Sequence, residues 1–394
     1  MTKRTIGIMG CLTCNSNMGC SALTYTLLQM LEKLGNRSFD YIIYDIAYDE
    51  NRLQLMCREL GIDRDRIQLF IIGAIDFHNL KKTIKTVVWA KKNIQMIKLI
   101  KKCNLVIDLT QGDSFTDIYG LDRFYQLTSI KIIVQKLNIP LILGPQTYGP
   151  FEDKKVRAMA KKVIERSAVV ISRDYKSKEY LESFCDADVK VGTDLAFGLK
   201  YREARKSFDT IKVGLNISGL LHSNRTDGSQ LKYNLKTNYD EYIRRLLDYF
   251  HDNPIYEVHL IAHVGNDANA AFANEKDVII HDAFESPIEA KSLLAEMDIF
   301  IGARMHATIG AFSAGVATIP VGYSRKFSGL FENLGYRYVV DLVELDTNQA
   351  VQLTIDYIEK YKMLEKEVES SQKVIDENYA VIEDEIMNCL NIIS

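Results

Sequence analysis

The chain is short of proline and tryptophan, with six and one in 394 residues. So few breakers exclude a proline-rich extended chain, and neither a low-complexity segment nor a repeat of short fixed period is visible. Cysteine offers no framework either. Seven residues, an odd number scattered from Cys11 to Cys389, do not form a disulfide scaffold and suit a reducing compartment. Excess charge of one sign is missing: 49 Lys+Arg meet 52 Asp+Glu for a formal net charge of −3, so no global basic field invites nucleic acid. Long apolar runs are missing too. The first apolar segment, Ile6 to Met9, gives way to a polar Thr13-Cys-Asn-Ser-Asn stretch too soon for a secretory core, so no signal peptide is expected. The charge-free twenty residues Met305 to Ser324 contain His306, Pro320 and three glycines, which fits a buried helix, loop and strand better than a membrane span.

What is present is apolar material for two cores, since 47% of residues are hydrophobic and the length predicts two domains. Short apolar runs alternate with helical patterns. Thr5–Met9, Phe39–Tyr44, Leu105–Leu109, Leu141–Gly144 and Val169–Ile171 read as strands, with helices over Ala22–Leu34, Asn51–Leu60, Leu121–Leu137, Asp153–Ser167 and Ser177–Phe184. A polar connector near Gly198–Ser207 interrupts the rhythm, which restarts at Val213–Ile217 and continues through Val258–Ala262, Val278–His281, Ile299–Gly302 and Thr318–Val321. The expectation is an α/β protein of two Rossmann-like domains facing a cleft, GT-B-like, over residues 1–200 and 201–394, with the long helical tail Thr347–Ile392 either finishing the second domain or crossing back to the first.

The balanced total hides local fields. Phe77 to Ile107 carries eight lysines and no acid, and Val351 to Ser394 carries ten acids against four lysines. The basic helices over 80–102 read either as solvent-facing helices of a Rossmann domain or as a peripheral membrane contact with anionic headgroups.

In such folds, ligand groups follow the carboxyl ends of strands. After the first strand, Gly10 to Ala22 leads into a helix; Asn17 and Gly19 bind an anion or sugar there, or cap the helix. The spacing is not that of a dinucleotide fingerprint. Cys11, Cys14 and Cys20 lack a fourth ligand and a partner cluster, so no metal is expected. The loop from Asp108 to Asp122 concentrates carboxylates among glycines and hydroxyls; Asp113 or Asp117 is expected to hold or deprotonate a hydroxyl, with a turn or cap accounting for another. Gly144-Pro-Gln-Thr-Tyr-Gly-Pro is expected to present Gln146. Arg173 follows the next strand, facing the cleft or paired on the surface with Asp174 or Glu179. Arg304 and His306 stand where a strand passes into an apolar helix, and Arg325 and Lys326 follow the next strand. An arginine fork, a lysine and a helix start suit a small phosphate–carboxylate ligand.

In order, Asn17-Met-Gly, Gln111-Gly-Asp-Ser-Phe-Thr-Asp, Gly144-Pro-Gln-Thr-Tyr-Gly-Pro, Ser172-Arg-Asp, Thr193-Asp-Leu-Ala-Phe, Leu260-Ile-Ala-His-Val, Arg304-Met-His and Tyr323-Ser-Arg-Lys resemble the polysaccharide pyruvyl transferase family. Three positions depart from its pattern: Cys20 replaces an acid, Gln111 a glycine, and Ala262 a frequent proline. The resemblance implies a GT-B-like enzyme that transfers pyruvate from phosphoenolpyruvate to a sugar as a ketal, without a cofactor. It implicates Arg304 and His306 in donor binding, with Lys326 and Arg173 as helpers; Arg325 and His263 are further substrate-binding candidates. The first domain's loops, through Asp113, Asp117, Ser114, Gln146 and Asn17, would meet the acceptor. A histidine titrates near neutrality, so His306 is expected to be the acid that protonates the donor's methylene carbon. The implied partner is a sugar acceptor, lipid-linked, of a capsule or exopolysaccharide pathway, which puts the enzyme in the cytoplasm at the inner face of the membrane. Two other classes remain open. One is a GT-B nucleotide-sugar glycosyltransferase with Glu285 or Glu289 on a ribose; the other is a non-catalytic carbohydrate-binding scaffold.

Overall fold

A computed structural model of the chain describes residues 4–13, 16–72, 87–203, 210–222, 233–265, 267–272, 277–281, 283–323 and 325–392, without the side chains at 87–92, 270, 325, 326 and 328. It divides into two units: residues 1–15, 23–195 and 377–394 in the first, 16–22 and 196–376 in the second.

The first unit is built on seven strands: β1 (Arg4–Met9), β2 (Phe39–Asp45), β3 (Ile67–Ile71), β4 (Leu105–Asp108), β5 (Leu141–Gln146), β6 (Val169–Ser172) and β7 (Val189–Val191). They are short and apolar because a parallel sheet is covered on both faces. Every pairing is parallel and the order is β3-β2-β1-β4-β5-β6-β7. The order reverses between β1 and β4, so the loops after these two strands flank the crevice where open sheets bind ligands. The connecting helices are α1 (Met18–Leu34), α2 (Glu50–Leu60), α3 (Val87–Ile100), α4 (Leu121–Lys136), α5 (Lys154–Glu165) and α6 (Tyr175–Glu182). β3 and β7 have no counterpart in the strands expected from the sequence, while α3 lies within the stretch 80–102 read there as helical.

The second unit has six parallel strands in the order β10-β9-β8-β11-β12-β13: β8 (Ile211–Asn216), β9 (Tyr256–Ile261), β10 (Val278–His281), β11 (Ile299–Gly302), β12 (Ala317–Gly322) and β13 (Val340–Asp341). Its helices are α7 (Tyr239–His251), α8 (Pro287–Leu294), α9 (Met305–Phe312), α10 (Arg325–Asn333), α11 (Thr347–Glu359) and α12 (Tyr361–Ile392). Here the order reverses between β8 and β11. α9 is buried from Ala307 through Phe312, so it is a core helix whose first turn alone can reach a ligand.

The tail is two helices, broken at Lys360, and residues from Glu377 onward group with the first unit. There Glu383 pairs with Lys33 at 2.8 Å, and Arg4 donates to the Leu390 carbonyl at 3.1 Å. No helix among the described residues is long and apolar enough to cross a membrane. Of the basic stretch 80–102, residues 80–86 and the side chains at 87–92 lie outside the described residues. In the rest of α3, Met96, Leu99 and Ile100 are buried in the first unit's core while Lys98 is exposed.

In the second unit, Lys291 of α8 is 3% exposed and donates to the carbonyls of Phe197 (3.2 Å) and Leu199 (2.7 Å), with Nζ 5.0 Å from the Tyr201 ring centre. Burial pushes its ammonium down to about 7. A lysine depressed in the fold binds fewer protons there than in the unfolded chain between about 7 and 10.5, so stability rises with pH across that window. Denaturant titrations should show the wild type gaining on Lys291→Met from pH 7 to pH 10; a constant difference would contradict the burial.

Candidate active site

In the second unit the site starts from two strand ends. Asn216 closes β8, and Arg304 follows β11 as the cap residue of α9. The Arg304 N–H donates to Asn216 Oδ1 at 3.1 Å, while Asn216 Nδ2 donates to the Ile261 carbonyl (2.8 Å) and to Asp267 Oδ2 (3.0 Å). Asp267, whose side chain is 0% exposed, is the hub. Its Oδ1 receives Nε and Nη2 of Arg304, both at 2.7 Å, and its Oδ2 receives the backbone N–H groups of His263 (2.9 Å) and Val264 (3.1 Å). Such charge-assisted bonds are about twice as strong as neutral ones. One carboxylate therefore fixes the plane of the Arg304 guanidinium and the turn after β9 together.

His306 is the second residue of α9. An arginine at the cap position supplies no side-chain oxygen for the helix's first N–H groups, and no side-chain cap is made there. The opening turn of α1 belongs to this unit. Met18 N–H donates to the His263 carbonyl at 3.2 Å, and Gly19 lies so close to His306 that a Cβ on it would fall 2.3 Å from the histidine's Cβ and Cγ. His263 is buried, and burial first, then the charge of His306, holds its imidazole down to about 3, so it is neutral at physiological pH. Arg304, His306 and His263 are thus gathered in one place, with Gly19 as the point where the segment 16–22 meets His306.

The side chains of Arg325 and Lys326 lie outside the described residues. The backbone puts both at the start of α10, after β12, the strand paired with β11. Asn17 takes the capping alternative: its Oδ1 receives the N–H groups of Gly19 (3.1 Å) and Cys20 (3.3 Å).

In the first unit the loop after β4 carries the polar groups. Asp108 is buried with Lys131 at 3.1 Å and receives the Thr110 hydroxyl. Burial, opposed by Asp108, pulls the Lys131 ammonium down. Thr110, Gln111 and Gly112 follow with φ of 40°, 55° and 84°. Two successive non-glycine residues in this region are strained, and neighbours hold them: Gln111 N–H donates to the Gly10 carbonyl at 2.7 Å and Thr147 N–H to the Gly112 carbonyl at 2.8 Å. Asp113 then receives the Tyr119 hydroxyl at 2.9 Å, and Arg123 Nη2 donates to Gln111 Oε1 (2.5 Å) and Ser114 Oγ (2.9 Å).

Three expectations change here. Asp117 serves as a turn clamp, its Oδ2 receiving the N–H groups of Glu152 and Asp153 at 2.9 Å each, which leaves Asp113 as the carboxylate of this loop beside polar side chains. Gln146 is fully buried rather than presented by its turn, with Nε2 3.4 Å from the Tyr148 hydroxyl. Arg173 makes no surface pair with Asp174 or Glu179. It is buried, donating to Asp194 at 2.6 Å and to Thr147 Oγ1 at 2.8 Å. Leaving one member of a buried pair alone costs about 3–5 kcal/mol, so Asp194→Ala should lower stability by that order in chemical denaturation. Among the described residues, no group of three His, Cys, Asp or Glu side chains could hold a metal ion.

Asp267, Asn216 and Asp194 were missed in the sequence. Asp194 had a signal, since it lies inside the Thr193-Asp-Leu-Ala-Phe motif; Asp267 lies four residues beyond His263, in a turn with no pattern of its own.

Two parallel Rossmann-like sheets, each with its switch point lined by polar groups, define a GT-B-type α/β protein. Solved structures share that fold. UDP-GlcNAc 2-epimerase from Neisseria meningitidis, bound to UDP-GlcNAc, aligns with a TM-score of 0.61 at 12% identity over 98% of this chain and 100% of that one. A putative UDP-N-acetylglucosamine 2-epimerase from Listeria monocytogenes gives 0.58 at 10% identity over 94% and 91%. CalG4, the calicheamicin glycosyltransferase, gives 0.54 at 13% identity over 99% of both chains. No curated protein matches the sequence. Residues 17–325 match the family model for polysaccharide pyruvyl transferase, and the chain belongs to that family of enzymes.

Proposed function

We propose that this transferase takes phosphoenolpyruvate as donor and forms a pyruvate ketal on a sugar of a capsule or exopolysaccharide precursor, with no metal or other cofactor. One constellation supports the reading: Arg304, aimed by the buried Asp267, two residues from His306 at the start of α9. The guanidinium and the helix start suit the donor's carboxylate and phosphate, with Lys326 and Arg325 as further cations after the adjacent strand.

His306 protonates the methylene carbon of the donor, and the positive charge that develops at C2 is met by an acceptor hydroxyl. A C2–O bond forms as that hydroxyl loses its proton. The C2–O bond to phosphate then breaks, with the cationic groups stabilising the leaving dianion. A second hydroxyl adds at C2 and closes the ketal. Of the two hydroxyl protons, one replaces the proton given to carbon and the other leaves with phosphate or solvent. The neutral His263 adds no second positive charge beside His306. On the acceptor side, Asp113 holds or deprotonates a hydroxyl, with Ser114 beside it.

The glycosyltransferase alternative has the fold in its favour. Its candidate acid Glu289 is engaged elsewhere, receiving the Glu285 N–H at 2.8 Å ahead of α8. A thermal-shift comparison separates the readings: phosphoenolpyruvate should raise Tm while UDP-N-acetylglucosamine leaves it unchanged, and the reverse result would favour the alternative.

We place the reaction in the cytoplasm at the inner face of the membrane, on a lipid-linked acceptor; the support is the lysine-rich stretch 80–102. The protein should sediment with anionic vesicles at low salt and be released at high salt. Failure to bind them would sink the membrane assignment and leave the chemistry standing.

A further inference from the structure

Three tyrosines of the first unit are more than two-fifths exposed: Tyr48 (57%), Tyr119 (42%) and Tyr175 (52%). Tyr48 follows the carboxyl end of β2, Tyr119 that of β4 and Tyr175 that of β6. Among the described residues, the other large apolar side chains exposed on this unit, outside α3 and α12, are Ile46, Ile118 and Leu121, and they follow β2 and β4. A folded chain has no structural reason to gather the exposed aromatics of its described residues along one sheet edge, and that edge is where an open parallel sheet binds its ligand.

We propose that the carboxyl edge of the first sheet is a track for an extended glycan several sugar rings long, with Tyr48, Tyr119 and Tyr175 as its stacking platforms. The inference rests on the pyruvyl-transfer reading for its choice of a carbohydrate occupant, and it adds where the glycan lies and how much of it is recognised. The strands β2, β4 and β6 are two positions apart in the sheet order, so at about 4.8 Å per strand their ends span roughly 19 Å, more than a single ring can cover. The polar groups beside the middle platform fit a neutral polyhydroxylated ligand. The Arg123 guanidinium lies 5.6 Å from the Tyr119 ring centre and reaches Gln111 and Ser114, while the Tyr119 hydroxyl donates to Asp113. One cation and one carboxylate offset each other, leaving amide, hydroxyl and aromatic surface. A tyrosine gives such a ligand a rigid apolar face with a polar tip at low entropic cost. The strained turn at Thr110 and Gln111, held from below by Asp108 and Lys131, fixes the base of this network.

The test uses the full chain and oligosaccharides of one to six rings, made by partial hydrolysis of the source cell's own polysaccharide after its pyruvate is removed. Titration calorimetry with the wild type should show affinity rising at least about tenfold from one ring to four. Combining Tyr48→Ala, Tyr119→Ala and Tyr175→Ala should bring the long fractions down to the single-ring affinity, while the thermal shift with phosphoenolpyruvate persists and shows the fold intact. Tyr119→Phe, which keeps the ring, should retain the length dependence. An affinity that saturates at one ring, or a triple variant that still favours long fractions, overturns the track. Length-dependent binding without any shift from phosphoenolpyruvate would leave the track standing and remove the donor reading.

Discussion

Gly19→Ala is expected to abolish most turnover in a protein that still folds. Alanine is the better helix former by about 1 kcal/mol, so helix propensity alone predicts a neutral or stabilising change in the first turn of α1. The local geometry reverses that sign where activity is concerned. The new Cβ would fall 2.3 Å from Cβ and Cγ of His306 and 2.4 Å from its Nδ1, and no packed contact tolerates that approach. Turning the imidazole moves its Cγ and Nδ1 but leaves Cβ in place, so the first turn of α1 must shift relative to α9. That shift displaces His306, the proton donor of the proposed reaction, and loss of general-acid catalysis is worth about 10²–10⁴ in rate. Turnover should fall by at least about a hundredfold, with Tm within a few degrees of wild type. Wild-type turnover in the alanine variant would mean that the position of His306 is irrelevant to the chemistry.

The second large effect is expected at His306 itself. His306→Ala should lower kcat by about 10²–10⁴ while phosphoenolpyruvate still raises Tm, because Arg304, Asp267 and Asn216 are untouched. Arg304→Lys should give the opposite pattern. A lysine cannot reproduce the guanidinium's edge-on contact with Asp267 or its planar fork, so the donor-induced shift should be lost. If His306→Ala loses binding and turnover alike, the histidine is a ligand contact and the acid lies elsewhere.

The alternation of short apolar runs with helical patterns was enough to read two doubly wound sheets, because strands buried on both faces carry a dense apolar signal. β1, β2, β4, β5 and β6 and the strands β8 to β12 stand within a residue or two of where the pattern puts them. What the pattern lacked was weak for physical reasons. β7 and β13 are three and two residues long, too short for periodicity, and α1 starts four residues early because Asn17 caps a turn whose residues look like loop. At the site, Arg304 and His306 were legible because two polar residues interrupt an otherwise apolar strand-to-helix passage. Asp267 was not, since its role is created by tertiary contact: the groups it joins come from β8 and the turn beyond it, from the turn after β9 and from the cap of α9. Asp117 and Gln146 show the opposite failing. Polar residues in a strand-end loop look alike in sequence whether they clamp a turn, as Asp117 does, or face a ligand.

The central claim is ketal formation by protonation of phosphoenolpyruvate, and proton NMR of a reaction run in deuterated water tests it most directly. With a polysaccharide-precursor oligosaccharide as acceptor, one phosphate should be released for each ketal formed, and the ketal methyl should appear as CH2D, carrying one deuteron delivered to the donor's methylene carbon. A product that keeps the vinyl protons, a fully protonated methyl, or sugar transfer from a nucleotide donor without any use of phosphoenolpyruvate would contradict it.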